Sequence, residues 1–147
     1  MPNLICAILT ISDTRTLQDD KSGDLLRQFA LADGHTVAER DLVRDDIYAI
    51  RAAVSNWIAD TAINVVITTG GTGFTGRDST PEALMPLFDK QIEGFGEIFR
   101  QLSYEEIGTS TIQSRAVGGL ANGTLIFSLP GSSGAVTTGW QKILHNQ

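Results

Sequence analysis

A glycine-rich segment over residues 68–80, TTGGTGFTGRDST, contains the residue types with the clearest chemistry in the chain. Its four glycines let the backbone approach a ligand closely and turn N–H groups towards it, and the threonines add hydroxyl donors. Donors of this kind bind phosphate. Asp78 in the same segment would repel a bare phosphate, so a carboxylate here indicates a bridging Mg²⁺. The alternative is a glycine-rich turn that binds no ligand.

Residues 71–76 also fit the fingerprint G-x-G-x-x-G of dinucleotide-binding proteins, but their context excludes that function. The fingerprint belongs to the first strand–turn–helix unit of its fold, whereas this segment follows the third predicted strand. The next helix cannot begin before about Ser79, and no strand with an acidic end follows about 20 residues later. A P-loop is excluded as well, because the Gly-Lys-Ser/Thr sequence is missing.

Acidic side chains follow the ends of two other predicted strands. Asp19 and Asp20 come after the first strand, and Asp45 comes after the second. Taken alone, each of these aspartates is explained as a solvated loop residue or as a helix cap. The carboxyl ends of parallel strands, however, meet at one edge of a sheet, where α/β folds bind their ligands. Together with Asp78, the three acidic loops predict a metal-assisted phosphate site at that edge.

Alternating strand and helix patterns position these loops. Continuous apolar runs predict buried strands, and apolar residues spaced three and four apart predict helices. The predicted strands cover residues 4–12, 35–43, 64–69 and 124–129. The alternation predicts an α/β protein, a three-layer α/β/α sandwich around a mostly parallel sheet, in one domain over residues 1–147.

The predicted helices carry their own end signals. Ser22 predicts the cap of the first helix, which ends at Gly34, and Asp46 opens the second. Residues 79–82, STPE, begin a third, with proline in the first turn and a glutamate that can reach back as in a capping box. Further helices are predicted around residues 95–102 and over 110–117 and 135–144.

Composition limits the classes of partner. The net charge is −6 and there is no run of lysine or arginine, which argues against nucleic acid or an anionic membrane surface. A small phosphorylated ligand remains open, because backbone N–H groups bind phosphate without net positive charge. The single cysteine, Cys6, excludes an internal disulfide and a zinc cluster. No signal peptide or membrane-spanning run is predicted, so we expect a cytoplasmic protein.

Five motifs resemble the MogA/MoaB family of molybdenum-cofactor biosynthesis proteins over nearly the whole chain. They are ILTISD at residues 8–13, DKSG at 20–23, TGGTGFT at 69–75 with RDSTPEA at 77–83, QSRA at 113–116 and LPGS at 129–132. The motif at residues 69–83 is the most specific of these. Residues 86–97 and 103–111 are similar to the MoaB branch in particular.

This resemblance implies a molybdopterin-binding domain and a reaction. The reaction is Mg²⁺-dependent transfer of AMP from ATP to the terminal phosphate of molybdopterin, with release of pyrophosphate. The resemblance implies Asp20, Asp45 and Asp78 as catalytic residues, the last two of them as Mg²⁺ ligands. It implies substrate binding by Ser12, Thr69, Gly70, Gly71, Thr72, Gly73, Phe74, Ser114, Arg115, Pro130, Gly131 and Ser132.

The resemblance also implies a homo-oligomer, a trimer or a dimer of trimers, and other molybdenum cofactor enzymes as further partners. Two other functions stay open at this point. One is a non-catalytic molybdopterin-binding paralogue, a carrier or scaffold that needs the same pocket. The other is a different nucleotide-binding α/β protein that uses the glycine segment for another phosphate.

Overall fold

Within residues 3–74 and 76–146, which the computed structural model describes, six strands form one sheet. Thr75 of the glycine motif lies outside the described residues, as do residues 1, 2 and 147. The strands are β1 (Ile5–Ile11), β2 (Thr36–Val43), β3 (Val65–Thr69), β4 (Lys90–Gln91), β5 (Gly118–Ala121) and β6 (Thr124–Leu129). Their order across the sheet is β2-β1-β3-β6-β5-β4.

Helices cover both faces of this sheet. They are α1 (Lys21–Ala32), α2 (Ile47–Ala59), α3 (Thr80–Leu84), α4 (Glu93–Ile107) and α5 (Ser133–Lys142). One core lies between the sheet and α1, α4 and α5, and contains Leu26, Phe99 and Trp140. The other lies between the sheet and α2 and α3, and contains Val54 and Leu84. Two cores on opposite faces confirm the predicted α/β/α sandwich.

The parallel part of the sheet brings the predicted loops to one edge. β1 pairs in parallel with β2 and β3, and β3 pairs in parallel with β6. The register places Thr10 opposite Thr69, and Thr69 opposite Leu129, so these strands end at the same level. The loops that follow β1, β2, β3 and β6 therefore leave the sheet side by side, as the sequence predicts.

Two predicted helix starts are wrong in detail. The cap of α1 is Asp20, whose Oδ1 accepts a hydrogen bond from the backbone N–H of Gly23 at 3.0 Å, and not Ser22. Ser79 precedes α3 without a side-chain cap bond. The expected capping box does not form, because Glu82 instead binds the Arg115 guanidinium at 2.7 Å.

The helix predicted over residues 110–117 is also wrong. Residues Gly108–Gln113 form a 3₁₀ helix, and the chain from Ser114 onwards is extended and leads into β5. The Arg100 guanidinium on α4 donates hydrogen bonds to the carbonyl oxygens of Ser114 (3.4 Å) and Ala116 (3.1 Å). A distant side chain thus holds the extended segment that follows the 3₁₀ helix. The short strands β4 and β5 were not predicted, since neither has a clear apolar pattern.

No helix in the described ranges is long and apolar enough to cross a bilayer.

Candidate functional site

The glycine loop after β3 has a backbone that only glycine adopts easily. Gly70 and Gly71 have φ angles of 106° and 70°, in the left-handed region. A Cβ at Gly70 would overlap the backbone oxygen of Ile11, and one at Gly71 would overlap the Thr80 hydroxyl. The Thr80 hydroxyl in turn donates a hydrogen bond to the Gly70 carbonyl oxygen at 2.9 Å. The Thr80 backbone N–H donates one to the Gly71 carbonyl oxygen at 3.0 Å. The first turn of α3 therefore holds this loop.

A hydrogen-bonded network joins three of the converging loops. The Arg77 guanidinium makes two hydrogen bonds to the Asp13 carboxylate, at 3.0 and 2.8 Å. Asp13 Oδ1 also accepts the backbone N–H of Asp45 at 3.1 Å. Asp45 Oδ1 then accepts the N–H of Ser79 at 3.0 Å, together with the Ser79 hydroxyl. The loops after β1, β2 and β3 are thus joined through charged groups.

Asp13 and Arg77 compensate each other's charge. The hydrogen bonds from Arg77 hold the pKa of the Asp13 carboxyl below its ordinary value, and the N–H of Asp45 lowers it further. The same contact raises the pKa of Arg77. Both groups are therefore charged at neutral pH, and their ion pair holds the loops after β1 and β3 together.

Asp45 and Asp78 both face the glycine loop. A Cβ at Gly71 would lie 3.1 Å from Asp45 Oδ2, and one at Gly73 would lie 2.7 Å from Asp78 Oδ2. No group of three or more potential metal-ligating side chains occurs among the described residues. Mg²⁺ is usually held by one or two carboxylates together with substrate phosphates and water, so this pair of carboxylates fits that ion.

Asp20 lies apart from this network. Its carboxylate is fully buried and accepts hydrogen bonds from the Thr10 hydroxyl, the Gly23 N–H and the Arg40 guanidinium, the last at 3.1 Å. None of these partners belongs to the glycine loop. The structure therefore gives Asp20 a role in holding α1 and β2 against β1.

Replacing Asp20 with Ala should lower the free energy of unfolding by about 2–3 kcal/mol, because it leaves Arg40 and Thr10 without a buried partner. Urea unfolding followed by circular dichroism measures this loss. The matched control is Asp24→Ala, which removes the half-exposed second carboxylate on Arg40 (2.6 Å) and should cost less than about 1 kcal/mol. Equal losses in the two variants would contradict the assignment.

Three of the predicted substrate-binding residues share a small cavity. Ser114, Pro130 and Ser132 line a space of about 140 Å³ between α4, the 3₁₀ helix and the start of α5. The Ser114 hydroxyl oxygen is buried and has no hydrogen-bond partner among the described residues. The Ser132 hydroxyl oxygen accepts the N–H of Ala135 at 3.1 Å and so caps α5. Ser114 is thus the polar group in this cavity that needs a partner.

The turn after β6 connects this cavity to the glycine loop. The Pro130 carbonyl oxygen accepts the Thr69 hydroxyl at 3.1 Å. A Cβ at Gly131 would lie 3.2 Å from the Gly70 Cα, so the two backbones are in close contact. The N–H of Gly70 donates to the Leu129 carbonyl at 2.9 Å and is no longer available to a ligand. The two groups of predicted binding residues are therefore neighbours.

The other predicted binding residues have varied surroundings. The Ser12 hydroxyl oxygen accepts hydrogen bonds from the backbone N–H groups of Thr14 and Arg15. Thr72 is buried, whereas the Phe74 side chain is 74% exposed on the loop. The Arg115 guanidinium binds backbone carbonyls of the glycine loop.

The sequence reasoning missed Asp13 and Ser79 as site residues. Asp13 lies two residues beyond the end of β1, as Asp45 does beyond β2, and this place after a strand end is the signal that identifies it. Ser79 was interpreted only as a helix start. Its bond to Asp45 joins residues 34 positions apart, which no local pattern indicates.

Comparison with known proteins places the whole site inside a region of similarity. Residues 7–147 match the family described as "Probable molybdopterin binding domain". Over 141 residues the chain is 57% identical to molybdenum cofactor biosynthesis protein B of Escherichia coli (strain K12), which covers 96% of this chain and 83% of that protein. A crystal structure of a molybdenum cofactor biosynthesis protein B superposes with a TM-score of 0.94 at 47% identity, covering 97% of this chain and 89% of the other. The tungsten cofactor synthesizing protein MoaB from Pyrococcus furiosus superposes with a TM-score of 0.87 at 38% identity, covering 98% and 92%.

Proposed function

The chain belongs to the MoaB/MogA family and acts in molybdenum cofactor biosynthesis, and from this premise we propose that it transfers AMP from ATP to the terminal phosphate of molybdopterin. The observation that carries the proposal is the contact between Gly131 and Gly70. It sets the cavity with the Ser114 hydroxyl beside the glycine loop. A pterin bound at Ser114 would then present its phosphate to the loop that holds the phosphates of ATP.

The reaction requires little proton transfer by the protein. The nucleophile is a phosphate oxygen of molybdopterin that is already deprotonated, so no general base is needed. A bond forms between this oxygen and the α-phosphorus of ATP while the bond to the β-phosphate breaks, and pyrophosphate leaves. The barrier comes mainly from bringing two anions together, and oriented donors lower it.

Each part of the site has a distinct task in this proposal. Backbone N–H groups of residues 71–73 bind phosphate, and Phe74 covers the ligand from its exposed position. Asp45 and Asp78 would hold Mg²⁺, which supplies charge neutralisation between the phosphates when it is bound. Asp13 and Arg77 keep the surrounding loops together. Asp20 contributes by fixing the start of α1.

A second candidate is a non-catalytic molybdopterin-binding protein. The observation that favours it is that Asp45 Oδ1 already accepts two hydrogen bonds from Ser79. Such a carboxylate can serve to shape a pterin pocket without holding a metal. Both candidates use the same cavity at Ser114.

One experiment separates the two candidates. The protein is incubated with ATP, Mg²⁺ and molybdopterin, and released pyrophosphate is measured together with the mass of the pterin product. Adenylyl transfer gives one pyrophosphate for each adenylylated molybdopterin. Pterin binding without pyrophosphate would support the carrier or scaffold function.

We further propose a cytoplasmic homo-oligomer, a trimer or a dimer of trimers, with other molybdenum cofactor enzymes among its partners. Ile98, Tyr104 and Ile107 on α4 and Ile112 beyond it are large apolar side chains that are at least 46% exposed. Burial between subunits would remove such side chains from water. Multi-angle light scattering at micromolar concentration should give a mass of three or six chains. A monomer mass would overturn this prediction.

A further inference from the structure

Arg115 connects the glycine loop and the start of α3 to the segment that carries Ser114, and it does so through four hydrogen bonds. Its Nε donates to the Gly73 carbonyl oxygen at 2.7 Å, and its Nη2 donates to the Asp78 carbonyl oxygen at 2.7 Å. Its backbone N–H donates to the Thr72 carbonyl oxygen at 2.8 Å. Its Nη1 pairs with Glu82 at 2.7 Å. One residue thus holds both arms of the glycine loop and the start of α3.

Arg115 also follows Ser114 directly in the chain. The segment from Ser114 to Ala116 is itself held to α4, because the Arg100 guanidinium binds its carbonyl oxygens. The glycine loop is therefore attached, through Arg115, to a segment that is fixed on the other side. The distance between the Ser114 hydroxyl and the loop depends on this attachment.

We propose that Arg115 is a positioning residue that sets the glycine loop against the segment that carries Ser114. Three of the five N–H donors of its side chain bind the glycine loop and Glu82, so most of its hydrogen-bonding capacity serves to hold the loop. The inference rests on the proposed function, because it assigns the phosphates to the loop and the pterin to Ser114. It changes the interpretation of Arg115 as a substrate-binding residue.

The guanidinium geometry is essential to this role. Its planar fork directs Nε and Nη2 to two carbonyls that lie five residues apart in the chain, Gly73 and Asp78. A lysine ammonium carries its three donors on one nitrogen, so it cannot reproduce the two bonds that separate nitrogens of the fork make. A phosphate contact would tolerate lysine far better, because there the charge matters most. Arg115→Lys therefore separates positioning from direct ligand binding.

The first measurement uses the ligand-free protein. Hydrogen–deuterium exchange of the hydrogen-bonded loop amides, those of Gly70 and Ser79, should become about tenfold faster in Arg115→Lys, because the loop opens more often. The matched control is Arg51→Lys, since the Arg51 side chain also donates to two carbonyls, those of Glu82 (3.0 Å) and Ala83 (3.2 Å), but holds α3 alone. We expect no change in exchange of the loop in that control. Unchanged exchange in Arg115→Lys would overturn the proposal.

The second measurement separates rate from affinity. In Arg115→Lys, kcat for pyrophosphate release should fall about tenfold because the two phosphates are less well aligned, while KM for molybdopterin stays within about threefold. Arg51→Lys should show wild-type values of both. A wild-type kcat in Arg115→Lys would overturn the positioning role. A loss confined to KM that becomes smaller at high salt would show a direct phosphate contact instead.

The two proposals fail in distinguishable ways. If the wild-type protein releases no pyrophosphate, adenylyl transfer is excluded, and exchange in the ligand-free loop alone decides the role of Arg115. If the wild type is active and the exchange of Arg115→Lys equals that of the wild type, the positioning role is excluded and the enzyme activity stands.

Discussion

Asp45→Asn should slow adenylyl transfer about a thousandfold, a loss of about 4 kcal/mol of transition-state stabilisation, while molybdopterin binding without ATP survives or becomes tighter. The amide oxygen of asparagine can still accept the two hydrogen bonds that Ser79 donates to Asp45 Oδ1. The loop keeps its shape and loses only the charge that faces Gly71. Initial rates of pyrophosphate release with ATP and Mg²⁺ measure the effect.

The neighbouring residue offers a control for this variant. Asp46 caps α2 by accepting the N–H groups of Tyr48 (2.8 Å) and Ala49 (2.9 Å), and asparagine caps helices equally well. Asp46→Asn removes the same charge one position further on and should turn over normally. We expect Asp78→Asn to be impaired like Asp45→Asn, since its carboxylate also faces the glycine loop. Normal turnover in both site variants would exclude these carboxylates as the metal-binding pair.

Gly71→Val should weaken molybdopterin binding about a hundredfold. Gly71 has a φ of 70°, which a β-branched residue adopts only with strain, and its Cβ would meet the Thr80 hydroxyl. The loop must shift to make room, and losing two charge-assisted hydrogen bonds to phosphate costs about 3 kcal/mol. Titration of the ligand in a calorimeter measures the affinity.

A second glycine in the same loop serves as the control for Gly71→Val. Apart from its chain neighbours, no described residue has an atom within 4 Å of the Cβ position of Gly76, so Gly76→Val should bind molybdopterin normally. Circular dichroism and thermal unfolding establish that each variant folds, and the milder Gly71→Ala replaces Gly71→Val if that variant does not. Wild-type affinity in a folded Gly71 variant would place the ligand elsewhere.

Much of the fold could be predicted because its causes are local. The strand at residues 65–69 is buried along its entire length and appears in the sequence as a short apolar run. Asp46 was correctly predicted to open α2, since the cap depends only on the next three residues. The order of parallel strands then placed three loops at one edge, and the structure confirms that convergence.

The errors lie where distant side chains compete with local preferences. In place of the helix predicted over residues 110–117, a 3₁₀ helix ends at Gln113, and Arg100 holds the following segment extended through the carbonyl groups of Ser114 and Ala116, 14 and 16 positions away. The capping box of α3 fails, because Glu82 binds Arg115, which lies 33 positions further along the chain. In each case a hydrogen bond to a charged group outweighs a weaker local one.

The sequence by itself determined the layered fold, the glycine loop and the placement of acidic residues after strand ends, since apolar periodicity and glycine content act over a few residues. Only the tertiary structure decided how these parts bind one another. Asp13 meets Arg77 across 64 positions, and Arg115 meets Gly73 across 42. Such contacts depend on strand register and helix packing, which sum many small preferences along the whole chain. The same tertiary contacts decide that Asp20 supports the fold, whereas Asp45 faces the glycine loop.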